Sequence, residues 1–307
     1  MLVEKLNMDV WQKLIVLKEL PVYYETNYLE AIAIAFHIHV VYLAVYDKGN
    51  PRLLLAAFEK NNKLITPEYF TYNPYWIDKQ LGERKQLEIQ KSLIFFLKKH
   101  YKKIVLKFNT NIGDIRPFKW EGFRIDIRYT YIKDTSEPVH TSIIKNLNRV
   151  KNAHISIIPT IPDESVIDLN VSFLSTFGIR STKIICYKTV LQRWAELGYL
   201  KSFTIKNSDQ IIGSSLVLLD KKLKTAYTYI SSPISRNEKY AHTMLYQYRL
   251  DWLAVNGFTV IDFCGANMEK IAVFKTYFNP ILKPYYIVKY SRWRNRLKFV
   301  QKIMDAL

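Results

Sequence analysis

Asp262 and Cys264 lie two residues apart in the apolar run "TVIDFCG" (259–265). A short strand there turns both side chains to one face. An aspartate so placed can orient an amine or accept its proton, or it can pair with a neighbouring helix. A nucleophilic cysteine needs a partner base. No histidine lies near Cys264 in sequence, so it reads as a small core residue. Lys275 follows in "FKTYFNP" (274–280), and a second Phe-Lys pair carries Lys119 in "FKWEGFR" (118–124). Taken alone, each reads as a surface lysine on a short helix. His37 and His39 alternate on one expected strand face, but no third ligand is in sight, so no metal site is expected. No Ser-His-Asp order, phosphate-binding glycine loop or helix-turn-helix signature stands out.

These residues sit in an alternation of helices and strands. "DVWQKLIVLKEL" (9–20) and "YLEAIAIAF" (28–36) read as helices with Pro21 as a stop. "HVVYLAVYD" and "RLLLAAFEK" flank "KGNP" (48–51) as a hairpin. "KQLEIQKSLIFFLKKHY" (85–101) places Ile89, Leu93, Phe96 and His100 on one helical stripe. A buried strand, "KIVLKF", and a longer one, "FRIDIRYTYI" (123–132), follow.

The same order then recurs. Shifting 104–133 by 156 positions onto 260–289 needs no gap and leaves seven of thirty positions identical, among them Phe118/Phe274, Lys119/Lys275, Tyr129/Tyr285 and Lys133/Lys289. Helices at 165–176 and 184–197, strands at 201–220 and 224–231, and a helix at 238–257 complete the second copy. That last helix is expected to bury Ala241, Leu245, Tyr248, Trp252 and Val255. The fold class is therefore α/β (α+β): two tandem domains, 1–133 and 134–290, each a mixed, mostly antiparallel sheet flanked by helices. A basic amphipathic helix at 291–307 is expected to pack back on the first domain, or to touch an anionic membrane or RNA.

This element order resembles that of GNAT-type acyltransferases. Two such units in one chain, the second closing on Asp262, Phe263, Gly265, Phe274, Lys275 and Phe278 with Asn279 where glycine is usual, resemble the FemABX peptidyltransferases. "NRVKNA" (148–153) is similar to that family's Arg-x-x-x-Ala helix. The resemblance implies a splayed pair of parallel strands, 224–231 and 259–264, with the donor's carbonyl seated between them. It implies a catalytic Lys275 that stabilises developing charge, with Asp262 beside it. Tyr227, Tyr229, Arg236, Lys239, Gly265 and Asn267 are the implied donor-binding residues, although strand tyrosines are also ordinary. CoA-using relatives carry a glycine-rich phosphate loop. "SSPISRNEKYAHTML" (231–245) has no glycine, which favours aminoacyl-tRNA over acyl-CoA as co-substrate; the generality of the fold favours acyl-CoA. Asn109 stands where the family usually has an acid followed by proline, which argues against a muropeptide acceptor. The implied activity is transfer of an acyl or aminoacyl group to an amine. The alternative is a non-catalytic binding module for nucleic acid or an anionic membrane.

Composition fits either reading. Of 307 residues, 49% are apolar, enough for two cores, and Lys plus Arg (45) exceed Asp plus Glu (27), giving a formal net charge of +18 that would attract tRNA, anionic lipid or phosphorylated ligands. Two cysteines fit a reducing compartment, and the N-terminal stretch lacks an apolar signal core, so a cytoplasmic location is expected.

Overall fold

The structure is a computed structural model that describes residues 1–149, 155–234 and 240–293. Contacts divide the chain into two compact units: Met1–Arg128 together with the chain from Pro284 on, and Tyr129–Lys283. Both division points fall inside strands.

The first unit runs β1 (Leu2–Leu6), α1 (Met8–Leu17), a 3-10 turn (Val22–Tyr24), α2 (Thr26–Phe36), β2 (His39–Asp47), β3 (Asn50–Lys60), β4 (Lys63–Ile65), β5 (Tyr75–Ile77), α3 (Glu83–His100), β6 (Lys103–Phe108) and α4 (Arg116–Trp120), then enters β7 (Arg124–Asp134). Asn7 caps α1 by accepting the Val10 amide at 2.9 Å. The β2–β3 hairpin closes on a two-residue turn, Lys48 and Gly49, both at positive φ, the geometry that matches strand twist.

The second unit continues with α5 (Thr141–Arg149), β8 (Ile155–Thr160), α6 (Glu164–Ser172), α7 (Ser181–Glu196), β9 (Leu200–Asn207), β10 (Gln210–Asp220), β11 (Thr225–Ser231), α8 (Ala241–Val255), β12 (Val260–Asp262) and α9 (Glu269–Thr276), and the chain leaves it along β13 (Ile281–Ser291). In the first unit the strand order is β1-β2-β3-β4-β6-β13, with β5 on β3; in the second it is β7-β12-β11-β10-β9-β8. The repeats exchange their closing strands. Asp134 of β7 pairs with Val260 of β12, and Tyr290 of β13 pairs with Ile104 of β6. Ile104 to Val260 and Asp134 to Tyr290 are both steps of 156, the step read from the sequence.

Each unit buries one face of its sheet under its long helix. Leu43, Leu55, Leu93, Leu97, Ile104 and Leu106 centre the first core, and Phe203, Val217, Leu245, Leu253, Ile261 and Phe263 the second. Two helical stripes differ from expectation. On α3 the buried side is Ile89, Gln90, Leu93, Ile94 and Leu97, while His100 is exposed and stacks on Phe96, ring centres 4.4 Å apart. On α8 Tyr248 and Val255 are exposed, and the buried side runs through Leu245, Tyr246, Arg249, Leu250 and Leu253. Successive steps of four carry the true stripe through a charged residue that an apolar template skips. His37 is not on a strand; it ends α2 at φ 52°, so it does not share a strand face with His39.

Candidate active site at the strand gap of the second unit

β11 and β12 run parallel, pairing Thr225 with Val260, Ala226 with Ile261 and Tyr227 with Asp262. The ladder ends there, while β11 continues to Ser231 along β10. Leu216 pairs with Ile230 and Val217 with Thr228, so Tyr229 is an extra residue in β11. Such a bulge bends its strand. Beyond Asp262 the other chain turns toward β7 instead. Phe263 donates its amide to the Tyr131 carbonyl at 2.8 Å, and Ala266 donates to the Tyr129 carbonyl at 2.9 Å. The two parallel neighbours therefore separate past Tyr227 and Asp262, in keeping with the splay that the family resemblance implies.

Side chains pin the departing segment, 262–267. Asp262, 3% exposed, accepts the Thr130 hydroxyl and the Cys264 amide at 2.8 Å. Lys275, 4% exposed, donates to the Phe263 and Gly265 carbonyls, each at 2.7 Å. Asn267 clamps one backbone position: its Oδ1 accepts the Tyr129 amide at 2.9 Å and its Nδ2 donates to the Tyr129 carbonyl at 3.0 Å. Gly265 adopts φ 106° and Cys264 φ 48°. Cys264 thus lies past the end of β12 in left-handed geometry, and it does not share a strand face with Asp262 as the spacing suggested. The result is a turn fixed by side-chain hydrogen bonds, from buried Asp262 and Lys275 on one side and exposed Asn267 on the other, rather than by packing alone.

The expected donor-binding residues fall into two groups. Tyr227 is buried beside Asp262 on the same face, as register partners must be. Tyr229, in the bulge, packs edge-on against Trp194 of α7, ring centres 5.4 Å apart. Gly265 and Asn267 belong to the pinned turn. Arg236 and Lys239 lie outside the described residues, as do most of the expected C-terminal helix (294–307) and the end of "NRVKNA". Asn109, the departure in the first unit, donates to the Tyr23 hydroxyl at 2.6 Å and accepts the Asn111 amide at 2.9 Å.

Lys275 is not the counterpart of Lys119 in this geometry. Gly122 and Asn279 both have positive φ, and their amides bond to the carbonyls three residues back, Lys119 and Thr276. These turns are 157 residues apart, one more than the strands. The match to Lys275 is then Phe118, 0% exposed, while Lys119 is exposed. One copy fills this position with a ring and the other with an ammonium that reaches the strand gap.

Sequence reasoning missed Arg249. It is wholly buried, its guanidinium 4.1 Å above the Tyr246 ring centre and donating from Nη1 to the Ser215 hydroxyl at 3.0 Å. Burial pulls its pKa below the ordinary arginine value. The available signal was its place four residues after Leu245 and four before Leu253. Among the described residues no group of three His, Cys, Asp or Glu could hold a metal ion, and no helix is long and apolar enough to cross a membrane.

No family model and no curated protein matches the sequence. Solved structures do match the fold. FemX superposes with a TM-score of 0.61 at 11% identity, over 93% of this chain and 97% of FemX. A tandem GNAT protein from the clavulanic acid biosynthesis pathway gives 0.60 at 10% identity, over 94% and 97%. The C-terminal domain (DUF2156) of a putative lysylphosphatidylglycerol synthetase from Agrobacterium fabrum gives 0.56 at 9%, over 92% and 91%. The chain has the FemABX-like tandem GNAT fold. At these identities the likeness is one of fold.

Proposed function

We propose that this chain is an acyltransferase that moves an acyl or aminoacyl group from an activated donor, aminoacyl-tRNA or acyl-CoA, to an amine. The divergence of β11 from β12 past Tyr227 and Asp262 carries the reading. A gap between parallel strands lets backbone groups hold a donor while its carbonyl faces an incoming amine, and such positioning supplies much of the rate in group transfer. The three matched proteins support the reading by fold; FemX and the lysylphosphatidylglycerol synthetase domain lend weight to an aminoacyl donor, and the clavulanic acid pathway protein to acyl-CoA.

In this reading Lys275 works through both position and charge. Two of its three protons hold the Phe263 and Gly265 carbonyls, which fixes the rim of the gap. Its positive charge in a dry site favours a developing oxyanion nearby. Asp262 holds Cys264 and Thr130 in place, and Tyr227 and Tyr229 line the β11 side. The net charge of +18 suits a tRNA donor, for which binding falls steeply with salt.

The test is a transfer assay on the full chain with charged tRNA and with acetyl-CoA, against a panel of amines. Transfer from one donor, lost by at least a hundredfold in Lys275→Ala, is the expected result. Binding of either donor without transfer to any amine would favour a non-catalytic binding module, and undiminished transfer by the variant would remove Lys275 from the mechanism.

A further inference from the structure

Arg249 has no acidic partner among the described residues. Its Nη1 donates to Ser215, while Nε and Nη2, both buried, find no acceptor at hydrogen-bond geometry among the described residues; the Tyr246 side chain is a further polar neighbour. Taking a guanidinium out of water is costly, and proteins normally repay the cost with a carboxylate or a full set of acceptors. Here the cation rests on the Tyr246 ring, with the Phe263 ring centre 5.8 Å away, and aromatic faces offset part of the cost. They do not supply the carboxylate that the Nε–Nη2 edge is shaped to meet.

The two idle donors are the informative ones. Nε and Nη2 form the side-on edge of the guanidinium, two parallel N–H groups spaced to match the two oxygens of one carboxylate. The surroundings are polar where a core should be apolar. Ser231 donates to Ser215 at 2.8 Å. Thr228 pairs with Val217 and so projects to the same sheet face as Ser215; its buried hydroxyl also finds no partner among the described residues. Phe263, the first residue past the last β11–β12 pair, lies with its ring centre 5.8 Å from the guanidinium. Tyr246, Ser215 and Phe263 thus approach the cation from α8, β10 and the end of β12, and none of them brings a carboxylate. The cation sits on the α8 face of the sheet, where β11 and β12 part.

We propose that Arg249 anchors a buried oxyanion subsite: an anionic group with two acceptor oxygens, a carboxylate or a phosphate, reaches it along the strand gap and is gripped by the Nε–Nη2 edge, with the Ser215 and Thr228 hydroxyls beside it. Under the transferase reading, on which this extension rests, the donor or acceptor carries an acidic group close to the reacting carbonyl. The side-on edge favours a planar carboxylate over a tetrahedral phosphate.

Anion binding is measured without any donor, so its failure is separate from failure of the transfer assay. The full chain is melted, and titrated calorimetrically, with succinate, inorganic phosphate, or sodium chloride at matched ionic strength. The expected result is a saturable rise in Tm with succinate, roughly 5–10 °C at a hundredfold excess over Kd, and none with chloride. Arg249→Met should abolish the shift and melt, without ligand, at or above the wild-type temperature, because it removes an unpaired buried charge. Ser215→Ala should weaken binding by about tenfold. If Arg249→Met does not fold, Arg249→Lys decides: it keeps the charge but loses the fork, and should lose the preference for succinate. A phosphate response exceeding that of succinate would keep the subsite and reassign its ligand to a phosphorylated group. No anion response in the wild type, or an equal response in Arg249→Met or Arg249→Lys, would overturn the inference.

Discussion

In the first unit β6 is sutured to its neighbour just where β12 is left to diverge. β4 pairs in parallel with β6 only at Lys63–Lys103 and Leu64–Ile104. The chain from 66 to 74 then folds against β6. Thr66 donates its hydroxyl to the Val105 carbonyl at 3.0 Å, Asn73 donates its amide to the Lys107 carbonyl at 2.7 Å, and the Lys107 amide returns a bond to Asn73 Oδ1 at 2.8 Å. Lys107 itself caps the Phe70 carbonyl and lies over the rings of Tyr72 and Tyr285. The second unit has no insertion between β11 and α8 that plays this part among its described residues, and its β12 is drawn toward β7. The first copy bridges the strands past their last pair, whereas the described residues of the second leave them apart, and it is to the second that the proposed strand-gap chemistry is assigned.

The comparison breaks most sharply at Lys275. Lys275→Ala leaves two buried carbonyls without donors, at about 1–3 kcal/mol each, so a loss of about 2–5 kcal/mol should appear as a Tm lower by roughly 5–15 °C. This differs from what a surface lysine would give. A Tm within a degree of wild type would show that the ammonium does not hold the turn. Closing of the first unit can be undone by Asn73→Ala, which removes the acceptor for Lys107 and Thr66. It should cost about 1–3 kcal/mol in denaturant unfolding and leave transfer unchanged; a loss of transfer without loss of stability would give the first unit a share of the site.

Acid should separate the units next. Burial lowers the pKa of His242 in the second unit, so the folded histidine stays neutral where the unfolded one takes a proton. Stability contributed there falls as pH drops below about 6.5, and His242→Gln should flatten that slope. In the first unit the Arg124 and Lys289 hydrogen bonds hold Asp126 down to about 2. Its contribution is present above about pH 4 and is lost as pH falls toward 2; because its partners Arg124 and Lys289 reach solvent, it amounts to about 1 kcal/mol or less. Chemical denaturation followed from pH 7.5 to 3 should show the earlier loss in the second unit. Smallest of all, Lys119→Ala should change stability by less than about 0.5 kcal/mol, and a larger effect would restore Lys119 as the partner of Lys275.

The repeat and the order of elements were legible because they rest on hydrophobic period and chain order, which survive divergence between copies; the splayed pair was implied by the family resemblance, and the exchange of β7 and β13 between the units was not read at all. Three further things were not legible. The insertion that closes the first unit is held by Asn73 and Thr66, whose bonds reach strands distant in sequence. The one-residue offset between Lys119 and Lys275 hides behind a Phe-Lys pair shared by chance of spacing, and only the positive-φ residues Gly122 and Asn279 reveal it. Arg249 breaks the rule that puts charge outside, and a template of apolar positions reads past it.

Hydrogen exchange of the full chain, with and without charged tRNA or acyl-CoA, tests the central claim most directly. The account predicts that the productive donor slows exchange at 225–231 and 260–267 and leaves 63–77 and 103–108 unchanged. Protection centred on 63–77 and 103–108, or no protection of 225–231 and 260–267 by either donor, would contradict it.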